Sequence, residues 1–381
     1  MAALFVFFDH LPATRAFSER YSLGPLAVAF FFLLSGFILM LNYREHFVRG
    51  VTWNSTRLFY LARLGRVYPL HLVTTVTAIV AIIAYGESPH NEYGNIWLGL
   101  SAGDHAIKIA AAVLLFQPWA YSPLVILGVN PPAWSIADEA FFYTMFPILA
   151  WYASRVCRPF NSVVVLSFAA FFCVFTGIVL CLGSAVPWII AYYFPPLRIF
   201  EFFVGILLAL AFVKRAGNEV RFGTSLEMIA VVVFVCSVAV LPLVPRALRY
   251  AVWMMPASSL IISIFAHRAG ALSRWLSQST FVLLGEISFA FYLLHAIVIG
   301  AISSVFGDGL PQSVFSFVVT LAASYALYRC VEVPARRWIR GRGSNGARVA
   351  GPAFEFVRSS MIGRQRSAEP ESRSGRPSPY N

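Results

Sequence analysis

Stretches of about 18 to 22 apolar residues recur along this 381-residue chain, and they narrow its possible folds more than any other feature. As a helix, each rises about 27 to 33 Å, enough to cross a hydrocarbon core of roughly 30 Å. Within lipid every backbone N–H and C=O must be satisfied by the protein itself, so only helices or a closed barrel can cross. No segment alternates in the way an outer-membrane strand requires. The expected fold class is therefore all-α, a polytopic transmembrane helix bundle. Composition agrees: with 59% hydrophobic and 12% charged residues and a mean hydropathy of +0.72, water cannot be the solvent for most of the surface.

The formal charge of +12 does not point to nucleic acid, because the basic residues gather between the apolar runs and in the C-terminal tail. That distribution is the signature of positive-inside topology. Cys157, Cys173, Cys181, Cys236 and Cys330 lie in or beside the runs at no metal-ligand spacing, so neither a disulfide framework nor a metal site is expected.

Apolar runs fall at 1–9, 25–42, 67–86, 107–122, 134–152, 162–182, 197–213, 226–244, 250–267, 281–303 and 313–332. The segment after the second run carries Arg44, Arg49, Arg57, Arg63 and Arg66 and is placed in the cytoplasm. Arg155 and Arg158, Lys214, Arg215 and Arg221, Arg268 and Arg274, and the tail beyond Arg336 reach the same side only if one run between 87 and 133 fails to cross. The run 107–122 is the candidate, being short and ending in QPWAYSP, with Pro131 and Pro132 beyond it. About ten membrane-crossing helices result, plus one re-entrant or interfacial segment, with both termini cytoplasmic in a bacterial inner membrane. Arg246 and Arg249 fall on the outer side, against the bias.

The first run has only nine residues before His10, about 14 Å of helix. It lacks the basic region of a signal peptide and is read as a helix whose start lies upstream of Met1. Residues 1–338 form the transmembrane domain. Residues 339–381, rich in Arg, Ser, Gly and Pro, are expected to be a disordered basic cytoplasmic tail able to lie near anionic lipid.

Ionisable groups within spans cost free energy there, so each is a functional candidate. They are His10, Arg63 and Arg66, Asp138 and Glu139, Arg198 and Glu201, Glu286 and His295, and Glu332. A neutral imidazole near mid-membrane can take the proton of an attacking hydroxyl. Asp9 adjoins His10, but neighbours in sequence do not face each other on a helix. Arg63 and Arg66, three apart, share a helix face and could bind phosphate, although positive-inside topology also explains them. Arg198 and Glu201, again three apart, suit an ion pair. Ser35 and Gly36 suit close helix packing better than nucleophilic chemistry.

Seven segments occur in one order along residues 1 to about 338. They are AALFVFFDH ending at His10, FFFLLSGFIL around 31–39, RLGRVYPLHL (63–72), PPAWSIADEAFFYTMFP (131–147), RIFEFFVGILLA (198–209), LGEISFAFYLLH (284–295) and VEVPARRW (331–338). As an ordered set they resemble the acyltransferase-3 family of integral membrane acyltransferases, whose members include enzymes that O-acetylate surface polysaccharides. The family pattern places an arginine eleven residues before the first-helix histidine; here that position lies before Met1.

The resemblance implies an enzyme that transfers an acyl group, acetyl by default, from cytoplasmic acyl-CoA to a hydroxyl of a polysaccharide, lipo-oligosaccharide or other carbohydrate. Acyl-CoA serves as co-substrate, no metal is needed, and the other partners are a carbohydrate or glycolipid acceptor and membrane lipid. It implies His10 as general base, and Arg63 and Arg66 as the donor-binding pair. Glu139, which follows Trp134 and Ser135 as the family glutamate follows Trp-Ser, either orients or deprotonates the acceptor, or pairs with an arginine such as Arg198. Tyr292 and His295, one turn apart, either assist proton transfer or pack and hydrogen-bond. Glu332, with Pro334, is expected to close the last helix. A secondary transporter remains the rival class, but the paired repeats typical of transporters are absent from the sequence.

Overall fold

The computed structural model describes residues 2–86, 97–120, 122–156, 192–215, 223–245, 248–249 and 253–342. Every element among them is helical. In chain order they are α1 (Ala2–His10), α2 (Arg15–Tyr21), α3 (Leu23–Phe47), α4 (Trp53–Tyr85), α5 (Ala102–Val113), α6 (Pro123–Ile126) and α7 (Trp134–Val156). Then follow α8 (Pro195–Arg215), α9 (Gly223–Val240), α10 (Met255–Phe265), α11 (Ala271–Leu276), α12 (Ser279–Phe306), α13 (Leu310–Leu327) and α14 (Val333–Arg342).

Among the described residues, six helical stretches are long and apolar enough to cross a membrane: α3, α4, α8, Gly223–Leu243, α12 and Leu310–Ile339. The 23-residue α7 has the length of a span but carries Asp138, Glu139 and Arg155. The run expected at 162–182, Cys157, Cys173, Cys181, Arg158, Arg221, Arg246 and the tail from 343 onward lie outside the described residues. Cys236 and Cys330 are free thiols, and no group of three potential metal ligands occurs among the described residues.

Helix α3 runs through the centre of the bundle and is joined most closely to α8. A Cβ on Gly36 would lie 1.9 Å from the Phe202 carbonyl oxygen, and one on Gly205 would lie 2.0 Å from that of Leu33. The two backbones therefore touch where each helix lacks a side chain, the small-residue packing that lipid-embedded helices favour. Interlocked rings fill the space beside this contact. Phe142 packs edge-on against Phe32 at 4.9 Å and stacks on Phe202 at 5.3 Å, while Phe59 and Phe146 stack at 4.9 Å. Helix α1 packs against α3 and α12, which bind it into the bundle despite its nine residues.

The helix boundaries depart from the apolar runs in three places. The basic segment after the second run is mostly helical: Arg44 lies in the last turn of α3, Arg57, Arg63 and Arg66 lie in α4, and only Arg49 lies between the two helices. Thr52 starts α4 by accepting the Ser55 N–H at 3.3 Å, and the helix continues through Pro69 for 33 residues, about 50 Å, well beyond a hydrocarbon core. The apolar run at 107–122 breaks earlier than its prolines suggest. Leu115 adopts a left-handed φ of 55°, the Phe116 N–H bonds the Ala111 carbonyl at 2.8 Å, and the helix stops at Val113 in a Schellman turn. At its other end Ser101 and Asp104 form a reciprocal capping box, so α5 has 12 residues, about 18 Å. Finally, Glu332 and Pro334 do not close the last helix: α13 passes through a five-residue π-helical turn, Tyr328–Glu332, and continues as α14 to Arg342.

Arg249, expected on the outer side, bonds back to carbonyls of the segment before it. Its Nε donates to the Val244 carbonyl, and its Nη2 to that of Pro242 at 2.8 Å.

Candidate functional site

The last residue of α1, His10, comes against the middle of α12. His10 Nδ1 lies 2.9 Å from the Val6 carbonyl oxygen one turn back, and 3.3 Å from His295 Nε2. The rings meet edge to face, with centroids 4.8 Å apart. His295 is fully buried, and its Nδ1 lies 2.6 Å from the Tyr292 carbonyl oxygen, whereas His10 is half-buried. Asp9, the sequence neighbour, turns elsewhere and accepts the Ser18 hydroxyl at 2.5 Å.

From this pair, polar contacts continue along α7. The Tyr292 hydroxyl lies 2.7 Å from Ser135 Oγ and donates to the Pro132 carbonyl at 3.0 Å. Asn130, just before α7, donates to the Leu293 carbonyl at 2.9 Å, so two hydrogen bonds pin the start of α7 to α12. One turn beyond Ser135, Glu139 accepts the Tyr143 hydroxyl at 2.6 Å, has Ser35 close by, and faces the charges of Arg66 and Arg63. Arg63 Nη2 donates to the Tyr43 hydroxyl at 3.0 Å, and its guanidinium lies 5.2 Å from the centre of that ring. Trp134 is buried among rings, 4.9 Å from Tyr192 and 4.5 Å from Tyr193.

A second charge cluster lies on the other side of α7. Arg198 Nη1 is 3.0 Å from Glu201 Oε1, with both side chains buried, and the guanidinium lies over the Phe32 and Tyr192 rings. Asp138 is buried too, faces Arg198, and has neither oxygen hydrogen-bonded among the described residues. The arginine opposite Asp138 is thus Arg198, while Glu139, the adjoining carboxylate, faces Arg63 and Arg66.

Arg63 and Arg66 have a neighbour that the sequence reading passed over. Arg66 faces the charges of Arg63, Arg336 and Glu332. Glu332, buried at the end of the π turn, holds Arg336 one turn along in an ion pair. A Cβ on Gly65 would overlap Ile339, so α14 lies directly against α4 at these arginines. The spacing of Glu332 and Arg336, four apart, was the readable signal. Its apposition to α4 was not readable, because the approach depends on a glycine on a different helix. Glu286, also a candidate, instead accepts the Tyr328 hydroxyl near the surface.

The sequence candidates therefore sort into one line of polar groups that follows α7 and one buried cluster. His10, His295, Tyr292, Ser135, Glu139, Ser35, Arg63 and Arg66 form the line; Arg198 and Glu201, with Asp138, form the cluster; Glu332 steadies Arg336 beside Arg66. An apolar helical bundle that holds a histidine pair, a hydroxyl pair and a carboxylate on neighbouring helices defines a membrane protein with buried groups of the kind that exchange protons.

The chain belongs to the acyltransferase-3 family: the family model described as an acyltransferase domain matches residues 1–329. It is 30% identical to the acyltransferase MdmB of Streptomyces mycarofaciens over an alignment that covers 93% of this chain and 94% of the relative. No solved structure matches. Its enzymatic class is accordingly O-acyltransferase.

Proposed function

We propose that this enzyme transfers an acyl group, acetyl in the first instance, from cytoplasmic acyl-CoA to a hydroxyl of a carbohydrate such as a surface polysaccharide or lipo-oligosaccharide. It acts in the inner membrane through about ten crossings, with both termini cytoplasmic and α5 as a re-entrant or interfacial segment. Arg63 and Arg66 bind the donor phosphates, with Arg336 beside them, since guanidinium groups match phosphate oxygens in paired hydrogen bonds. His10 is the general base. It removes the proton of the acceptor hydroxyl as that oxygen attacks the thioester carbonyl; the C–S bond breaks, and the departing sulfur takes the proton back from His10. Glu139, between the two ends, orients the acceptor hydroxyl or the Tyr143 and Ser35 hydroxyls around it.

The observation that supports this reading is the succession of polar groups that begins at His10 and His295, passes the Tyr292 and Ser135 hydroxyls, and follows α7 to Glu139, which faces the charges of Arg66 and Arg63. Polar side chains on α1, α12, α7 and α4 gather there although each costs free energy in apolar surroundings.

Purified protein should move radiolabelled acetyl from CoA onto the acceptor, and His10→Ala, expressed and folded at the normal level, should lose transfer. Unchanged transfer in that variant would overturn the assignment. Uptake of a polar solute into vesicles without CoA turnover would favour a permease. Glycan mass spectrometry of a deletion strain and its parent would identify the acyl group by the missing mass.

A further inference from the structure

A carbonyl oxygen can only accept a hydrogen bond, and this settles the proton positions on both imidazoles. His295 Nδ1 lies 2.6 Å from the Tyr292 carbonyl oxygen, so Nδ1 carries the hydrogen and the neutral ring presents a bare Nε2. That bare nitrogen lies 3.3 Å from His10 Nδ1. His10 Nδ1 has two neighbours, His295 Nε2 and the Val6 carbonyl oxygen at 2.9 Å, and both are acceptors. It must therefore carry its own hydrogen. The remaining nitrogen, His10 Nε2, then holds the lone pair and takes no hydrogen bond among the described residues.

The geometry points to His295 as a positioning residue for His10: a neutral imidazole whose bare Nε2 steadies the positive charge that forms when His10 accepts the substrate proton. The inference rests on the reading of His10 as general base. In the resting state the Tyr292 carbonyl, through His295, aligns the His10 ring with its lone pair on Nε2. As the acceptor hydroxyl yields its proton to His10 Nε2, the His10 Nδ1–H donates more strongly to His295 Nε2. No bond to His295 needs to form, and the proton later leaves from the same His10 Nε2 to the thiolate. A partner behind the catalytic imidazole does the same work where a carboxylate backs a histidine. Here a neutral ring replaces the carboxylate, which avoids placing an anion in apolar surroundings beside Phe7, Phe291 and Leu293. Asp9, the nearest carboxylate in sequence, is occupied by Ser18.

Two variants separate this role from packing. Gln at position 295 can place its side-chain oxygen near the site of Nε2 and accept from His10, whereas Leu fills similar space and cannot. His295→Leu should lower kcat on the order of a hundredfold with donor and acceptor KM unchanged. His295→Gln should recover most of that loss, because accepting a hydrogen bond is enough. Equal activity of the two variants, or a His295→Leu enzyme as fast as the parent, would overturn the proposal. Independently of turnover, nitrogen NMR of the full chain labelled on histidine should show His295 protonated on Nδ1 and bare on Nε2, with resonances assigned through the variants. The opposite tautomer at His295 would sink the inference even in an active enzyme. Loss of transfer in His10→Ala alongside the expected tautomer and an equally active His295→Leu would retain the base and discard its partner.

Discussion

Among single residues, Arg198 carries the heaviest electrostatic load, because Asp138 and Glu201 share its one guanidinium in a fully buried cluster. Removing one partner of a buried ion pair costs about 3 to 5 kcal/mol by leaving the other uncompensated. Arg198→Met should fall at the upper end, since it leaves two carboxyl groups exposed to each other. Asp138→Asn or Glu201→Gln alone should cost less, because one carboxylate still faces the arginine. Thermal unfolding in detergent would rank the three; an Arg198→Met protein as stable as Asp138→Asn would show that the cluster is not held by that charge. Sequence alone gave the Arg198 and Glu201 pairing through their spacing, and marked His10, His295 and Glu139 as costly groups in apolar runs. It singled out Glu139 but offered Arg198 as its partner, where the carboxylate facing Arg198 is Asp138. The two adjacent carboxylates point to different arginines because successive residues on a helix are turned by about 100°.

At the level of elements, the contact between α3 and α8 is set by two glycines. Gly36→Ala or Gly205→Ala forces a methyl into a carbonyl oxygen and should cost at least the 1 to 3 kcal/mol typical of overpacking. Gly285 in α12 is the control, because a Cβ there meets nothing within 4 Å. Gly285→Ala should leave stability unchanged or raise it by about 0.5 to 1 kcal/mol through helix propensity. Equal melting temperatures for Gly36→Ala and Gly285→Ala would contradict the backbone contact. Helix existence was legible from hydropathy, while helix ends were less so. Thr52, Leu115 and the π turn at Tyr328–Glu332 decide where α4, α5 and α13 begin, stop or continue, and each acts through local hydrogen bonds that a hydropathy count does not register.

For the whole molecule, the basic residues at Arg215, Arg268, Arg274 and the C-terminal helix should lie on one side of the membrane. A fluorescent protein fused after residue 381 should fold and fluoresce in the cytoplasm, and alkaline phosphatase at the same place should be inactive. The reverse result would invert the orientation and move the arginine end away from the CoA pool. The family and the apolar bundle were legible from ordered motifs. The meeting of His10 with His295 was not, since the two lie 285 positions apart and become neighbours only when α1 packs on α12.

Helix α7 has a consequence for which donors can be used. From Ser135, against the histidine end, to Tyr143, beside the arginine end, it rises about 12 Å as one stiff rod. Under the proposed function, phosphate anchorage and thioester delivery would thereby be held a set distance apart, with the rod as a gauge. A donor whose tether between phosphate and sulfur is much shorter could occupy the arginines yet never bring its carbonyl to the base.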